Sequence, residues 1–184
     1  KLLLEHGAGP NVEDSLGQCP LHAAVRLGAD HVQLLVDAGA TVHCSSNEGS
    51  TPLHSAVQVC GSSQCTKLLL ERTDNLGLEM LLTHQNRDGK SALLAACEVG
   101  NADAVDLLLE YAAKSEPPAV AALLVGLTDN RRATALHYVQ SGSDGETAVR
   151  IATALIDNGA NILTRDSFCS TPMHATCRFG NDSH

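Results

Sequence analysis

One tetrapeptide recurs five times and constrains the fold more than any other feature of the chain. It reads Cys19-Pro-Leu-His22, Thr51-Pro-Leu-His54, Ser91-Ala-Leu-Leu94, Thr134-Ala-Leu-His137 and Thr171-Pro-Met-His174. Successive copies start 32, 40, 43 and 37 residues apart. Self-similarity at such a period marks a repeat architecture, in which each unit packs mainly on its neighbours. A second signature lies between the copies, an apolar helix end closing on Gly-Ala or a variant of it. It occupies residues 1–8, 33–40, 106–113 and 153–160, and 67–72 repeat the helix without the Gly-Ala ending.

Each residue type in these signatures has a local task. A Thr followed by Pro reads as a helix start, because the hydroxyl caps free N–H groups and Pro at the first helical position loses no bond. Leu21, Leu53, Leu93, Leu136 and Met173 follow at the position expected to face inward. Small residues such as Ala24, Ala56 and Ala96 come next and let another helix approach. Gly28 and Gly100 fit a left-handed helix stop, and Gly39 and Gly159 stop the second helix. Polar loops with Gly at the bend follow, as in Asp14-Ser-Leu-Gly17, Ser46-Asn-Glu-Gly49 and Asn86-Arg-Asp-Gly89. One helix pair cannot bury its own apolar face, whereas stacked pairs can.

The motif, its order and its approximate period resemble the ankyrin-repeat family, over nearly the whole chain. The resemblance implies an all-α solenoid of stacked helix-turn-helix units with short β-hairpin loops. Residues 1–184 then form a single domain of about five repeats. The first copy is only a second helix, and the last stops after its first helix near Gly180. Neither end reads as a polar cap, so the array is expected to continue in a longer protein. Segments 73–79 and 114–124 exceed the pattern and are expected to be surface insertions. Glu116-Pro-Pro118 should break any continuing helix, with a short helix restarting at 119–124. Residues 143–146 add further length. Arg132 and Cys169 stand where the loop Gly is expected. A left-handed backbone costs a non-Gly residue about 1–2 kcal/mol, so these two loops are expected to bend differently. Cys19 in place of the capping Thr should weaken its helix start by about 1 kcal/mol.

Twelve Lys and Arg against 21 Asp and Glu leave a formal charge of −9. That balance opposes binding to nucleic acid or to an anionic membrane surface. The longest apolar stretch, residues 120–127, is too short to cross a bilayer. The seven cysteines, Cys19, Cys44, Cys60, Cys65, Cys97, Cys169 and Cys177, are scattered and odd in number. They read as seven reduced thiols in a cytoplasmic protein, with the nucleus as the alternative.

The chemical motifs of catalysis are missing. There is no G-x-G-x-x-G, phosphate loop or H-E-x-x-H, and no sequence sign of a nucleophile, base and orienting group in one pocket. His22, His54, His137 and His174 recur in register, but Leu94 replaces one of them, which a required ligand would not tolerate. In the family this His bonds backbone groups of neighbouring loops. The reading is therefore a non-enzyme with no cofactor and no metal. Asn11 occupies a loop place where the family is often hydroxylated, and here reads as a turn residue.

The resemblance implies a module that binds a protein or an extended peptide on its concave face, and a fragment that is monomeric. The alternative is a regulatory or spacer segment contacting its own chain in a channel, kinase, acyltransferase or ubiquitin-ligase adaptor. Family contacts come from loop tips and from the two residues before the Gly that ends each first helix. Transferred residue by residue, the tips are Ser15, Leu16, Gln18, Asn47, Glu48, Ser50, Arg87, Asp88, Lys90, Asn130, Arg131, Ala133, Ser167 and Phe168. The helix ends are Arg26, Leu27, Gln58, Val59, Glu98, Val99, Arg178 and Phe179. This face is expected to run from acidic and polar at Asn47, Glu48 and Gln58 to basic at Arg87, Lys90, Arg131 and Arg132. It ends in the cluster Phe168, Arg178 and Phe179, because aromatics and Arg dominate binding hot spots.

Overall fold

The computed structural model describes every residue except 60–62, 74, 116–118, 140–143 and 180–184, and omits the side chains of Asn75, Arg178 and Phe179. Cys60, the Glu116-Pro-Pro118 breaker and Ser143 therefore lie outside the described residues. Among those described, the chain is helical, and β pairing is confined to two isolated bridges, Gln85 with Ser91 and Thr128 with Thr134.

Helix α1 (Leu2–Glu5) precedes four helix pairs. These are α2 (Pro20–Leu27) with α3 (Ala29–Asp37), and α4 (Pro52–Gln58) with α5 (Ser63–Glu71). They continue as α7 (Ala92–Glu98) with α8 (Ala102–Lys114), and α10 (Ala135–Tyr138) with α11 (Gly145–Asp157). Helix α12 (Pro172–Phe179) starts a further unit. First helices contact first helices in the order α2, α4, α7, α10, α12, and second helices stack as α3, α5, α8, α11. This is an all-α stack of neighbours.

The tetrapeptide supplies the core as its pattern requires. Leu21, Leu53 and Leu93 are fully buried and Leu136 is 5% exposed. The next small residues, Ala24, Ala56 and Ala96, are buried too. Met173 departs from this rule and is 71% exposed. It belongs to α12, which has no second helix packed beside it among the described residues.

The two longer segments hold a third helix each. Helix α6 (Asn75–Thr83) follows α5, and α9 (Val120–Gly126) follows α8. They contact each other and both contact α8. Leu78, Leu81, Leu82, Val120, Leu124 and Val125 are buried, so the extra length adds a layer to the core and is more than a surface excursion. Leu76 and Met80 face outward.

Backbone conformation corrects one sequence expectation. Arg132 and Cys169 take φ of 60° and 57°, the same left-handed turn as Gly17, Gly49 and Gly89. These loops bend alike; the strain is accepted because the loop-to-loop bonds described below require that turn. Gly17 and Gly89 have a second reason to be Gly. A Cβ on Gly17 would meet the Asn47 nitrogen at 2.8 Å, and one on Gly89 would meet the Asn130 nitrogen at 2.7 Å. Replacing Arg132 or Cys169 by Gly should therefore raise stability by about 1 kcal/mol each, and Gly89→Ala should lower it by more than about 1 kcal/mol. Urea denaturation followed by circular dichroism measures both signs; an unchanged midpoint for Gly89→Ala would contradict the close approach.

Candidate functional site

The five polar loops are built on one plan. Asp14 Oδ1 accepts from the Leu16 and Gln18 N–H groups. Asn86 Oδ1 accepts from Asp88 and Lys90, Asp129 Oδ1 from Arg131 and Ala133, and Asp166 Oδ1 from Phe168 and Ser170. Ser46 does the same weakly, its Oγ accepting from the Ser50 N–H at 3.3 Å. A short acceptor side chain at this position pre-forms the turn.

Successive tips are then joined backbone to backbone. The Asn47 N–H donates to Leu16 O at 2.8 Å, Arg87 to Glu48 O at 2.9 Å, Asn130 to Asp88 O at 3.0 Å and Ser167 to Arg131 O at 2.8 Å. One continuous row of loops results, and its side chains are the candidate binding surface.

The histidines hold this row to the helices. His22 Nε2 lies 2.8 Å from Ser50 O, His54 Nε2 lies 3.0 Å from Lys90 O and His137 Nε2 lies 3.1 Å from Ser170 O. A carbonyl can only accept, so each Nε2 carries the proton and each Nδ1 is an acceptor. Nδ1 takes the backbone N–H of Cys19, Thr51 and Thr134 respectively. Leu94 breaks the series, and other groups hold the loop after it. The Tyr138 hydroxyl donates to Asp129 Oδ2 at 2.6 Å, and Gln85 Nε2 donates to Thr128 O at 2.8 Å.

The row uses up some residues that the sequence offered as partner contacts. Ala133 is only 8% exposed, because its N–H is turned in to Asp129, so its side chain is not presented. The Lys90 ammonium lies 2.6 Å from the Glu98 carboxylate and 5.1 Å from the centre of the Tyr138 ring. Lys90 and Glu98 therefore largely neutralise each other. Asn47 Nδ2 donates to Ser15 O and Asn130 Nδ2 to Arg87 O, so both side chains are part of the joint between tips. Gln18, Ser50, Val59 and Val99 are partly buried. Ser15, Leu16, Arg26, Leu27, Glu48, Gln58, Arg87, Asp88, Arg131, Ser167 and Phe168 remain exposed. Leu16 is 60% exposed, and Leu27 and Phe168 are 68% exposed. The Arg178 and Phe179 side chains fall outside the described residues. Asn11, read as a turn residue, bridges its loop to the next: its Nδ2 donates to Gly39 O and its Oδ1 accepts the Thr41 N–H.

The cysteines require a correction. Cys19 and Cys44 are paired as a disulfide, with Cα atoms 6.8 Å apart. Four described thiols are free: Cys65 and Cys97 are buried, and Cys169 and Cys177 are exposed. Spacing alone could not find the pair, because 25 residues and a whole helix pair separate the two. Burial raises the Cys97 thiol well above its ordinary pKa and makes it unreactive.

The ankyrin-repeats family description in its three-copy form matches residues 1–80, and the single ankyrin repeat matches residues 88–125. The chain belongs to the ankyrin-repeat family. No curated protein matches it. Ankyrin repeats are in general protein–protein interaction modules, typically without enzymatic activity. No helix of the described residues is long and apolar enough to cross a membrane.

The imidazole that joins one repeat to the next also sets a pH response. Burial lowers the His54 pKa from 6.5 to about 4, partly offset by the bond to the Lys90 carbonyl, with His84 and His22 lowering it further. A folded pKa below the unfolded value stabilises the fold fully above about pH 6.5, and the contribution is lost as pH falls through about 4. The loss at His54 should reach at most about 3 kcal/mol. Urea midpoints across this range should fall more steeply for the parent than for His54→Gln. Equal slopes would mean that another group controls acid unfolding.

Proposed function

We propose that the row of loop tips, with the ends of the first helices, binds an extended peptide of a partner protein. The observation that carries this reading is the chain of backbone hydrogen bonds joining all five tips. It makes the row rigid before any ligand arrives, which lowers the entropy cost of binding. Three of the exposed large apolar side chains lie along it. Leu16 and Leu27 belong to the first loop and helix, and Phe168 sits on the last loop.

Charge suggests an orientation. Arg131 and Arg132 are exposed on the loop bonded directly to the one carrying Phe168. Arg87 stands next to Asp88, and Lys90 is paired with Glu98, so the middle of the row is less basic than its sequence suggests. The favoured ligand carries an apolar side chain for Phe168 and an acidic residue a few positions away for Arg131 and Arg132. Electrostatics would set register and on-rate, and the apolar contacts most of the affinity.

The test uses peptides selected from a random display library on the intact chain, with binding measured by calorimetry. Phe168→Ala, and the pair Leu16→Ala with Leu27→Ala, should each weaken a selected peptide by more than about tenfold. Arg131→Ala with Arg132→Ala should chiefly slow association and flatten the salt dependence. Val149→Ala, on the exposed side of α11, should change nothing. Peptides indifferent to the tip variants but sensitive to Val149→Ala would place the binding surface elsewhere.

A further inference from the structure

We propose that Cys19, His22 and Cys44, in their reduced form, make a binding site for a thiophilic divalent cation of the zinc class. The two sulfurs and one ring nitrogen of these residues lie within 4.8 Å of one another. Cys19 Sγ is 3.2 Å from His22 Nδ1. Among the described residues no other group of three His, Cys, Asp or Glu residues is gathered in this way.

Two independent departures from the repeat pattern meet here. Position 19 carries a thiol where Thr51, Thr134 and Thr171 carry a hydroxyl. In those three units the hydroxyl oxygen lies 2.8–2.9 Å from the same ring nitrogen of the following His. Cys44 stands four residues after Ala40, where the corresponding places after Ala8 and Ala160 hold Val12 and Thr164. Either Cys alone would be a packing variant. Both sulfurs occur in one unit, and the fold brings them to one imidazole.

The local geometry suits a metal ligand. Cys19-Pro-Leu-His22 places a sulfur and an imidazole three residues apart at the start of α2. His22 Nε2 donates to Ser50 O, which fixes the ring and leaves Nδ1, an acceptor of the Cys19 N–H, 3.2 Å from the Cys19 sulfur. A backbone carbonyl holding the far nitrogen is the usual outer support of a metal-bound histidine. Binding at Nδ1 displaces the Cys19 N–H, the one bond lost. Two thiolates and an imidazole select zinc-class ions over magnesium or calcium, and three protein ligands leave the fourth position to water. Cys19 is buried, while Cys44 is only partly covered and gives the ion a way in.

The steps balance. A thiol reductant donates two electrons and two protons to the Cys19–Cys44 disulfide, yielding two thiols and itself becoming a disulfide. The cation then binds both sulfurs and Nδ1 and displaces two protons, with no change of oxidation state. The structure holds the oxidised pair, so oxidation and metal binding exclude each other at this site.

The experiment uses the whole chain, reduced with a phosphine, desalted without oxygen and titrated with Co2+ and then Zn2+. One equivalent of cobalt should give thiolate-to-cobalt charge-transfer bands together with the visible bands of a tetrahedral ion, and zinc should abolish both. Zinc should also slow alkylation of two thiols per chain. Cys19→Thr, which restores the residue of three other units, and Cys44→Ala should each weaken the ion by more than about tenfold with unchanged helical circular dichroism. The absence of cobalt bands in the reduced parent would overturn the site, as would bands that persist in Cys19→Thr. A pair that re-forms its disulfide in air equally fast with and without zinc would also overturn it, leaving a redox link only.

Discussion

A buried imidazole that donates to the carbonyl of the next loop is the contact on which the stack depends. His22, His54 and His137 each close a bond spanning 28, 36 and 33 residues. The ring reaches the loop only if the next unit sits at one distance and one rotation. The same ring accepts from the N–H that starts its own helix, so helix start and neighbour register are set by one side chain. Low local dielectric strengthens such a bond and also makes its loss costly. The lowered His54 pKa is the visible sign of that burial.

The loop row follows from this contact. With three of the five loops tied in this way to the helix of the preceding unit, the backbone of one tip meets the next at hydrogen-bond distance. The approach is close enough to exclude a Cβ at Gly17 and Gly89. Two units keep the same turn without Gly, because the row needs the left-handed conformation more than Arg132 and Cys169 resist it. Rigidity along the row therefore comes from backbone and imidazole, and several tip side chains stay exposed to solvent.

The unequal period also has a physical consequence. Two units carry a third helix, and α6 packs on α9, α8 and α7, so these neighbours share a layer of contacts that the units on either side lack. Stability in such arrays is approximately a sum of unit and interface contributions. The middle of the chain is thus its anchored part. Asn101 adds to it, its side chain donating to Val57 O in the preceding unit while capping α8.

The sequence by itself determined the repeat, the helix starts and the inward Leu, because each depends on chemistry within a few positions; the use of the His residues came with the family resemblance. It also marked the loop places from which contacts could come. What it left open was every relation between distant units. Asn47 and Asn130 were committed to neighbouring tips only once the loops were laid side by side, while Ala133 was hidden by its own turn and Lys90 was paired with Glu98 of the helix that follows it. The helical nature of residues 75–83 was masked because their packing partner, α9, lies about forty residues further on. The meeting of Cys19 with Cys44 was decided in the same way. Local capping and periodicity can be read from adjacent residues, whereas side-chain availability depends on what the stack brings against it.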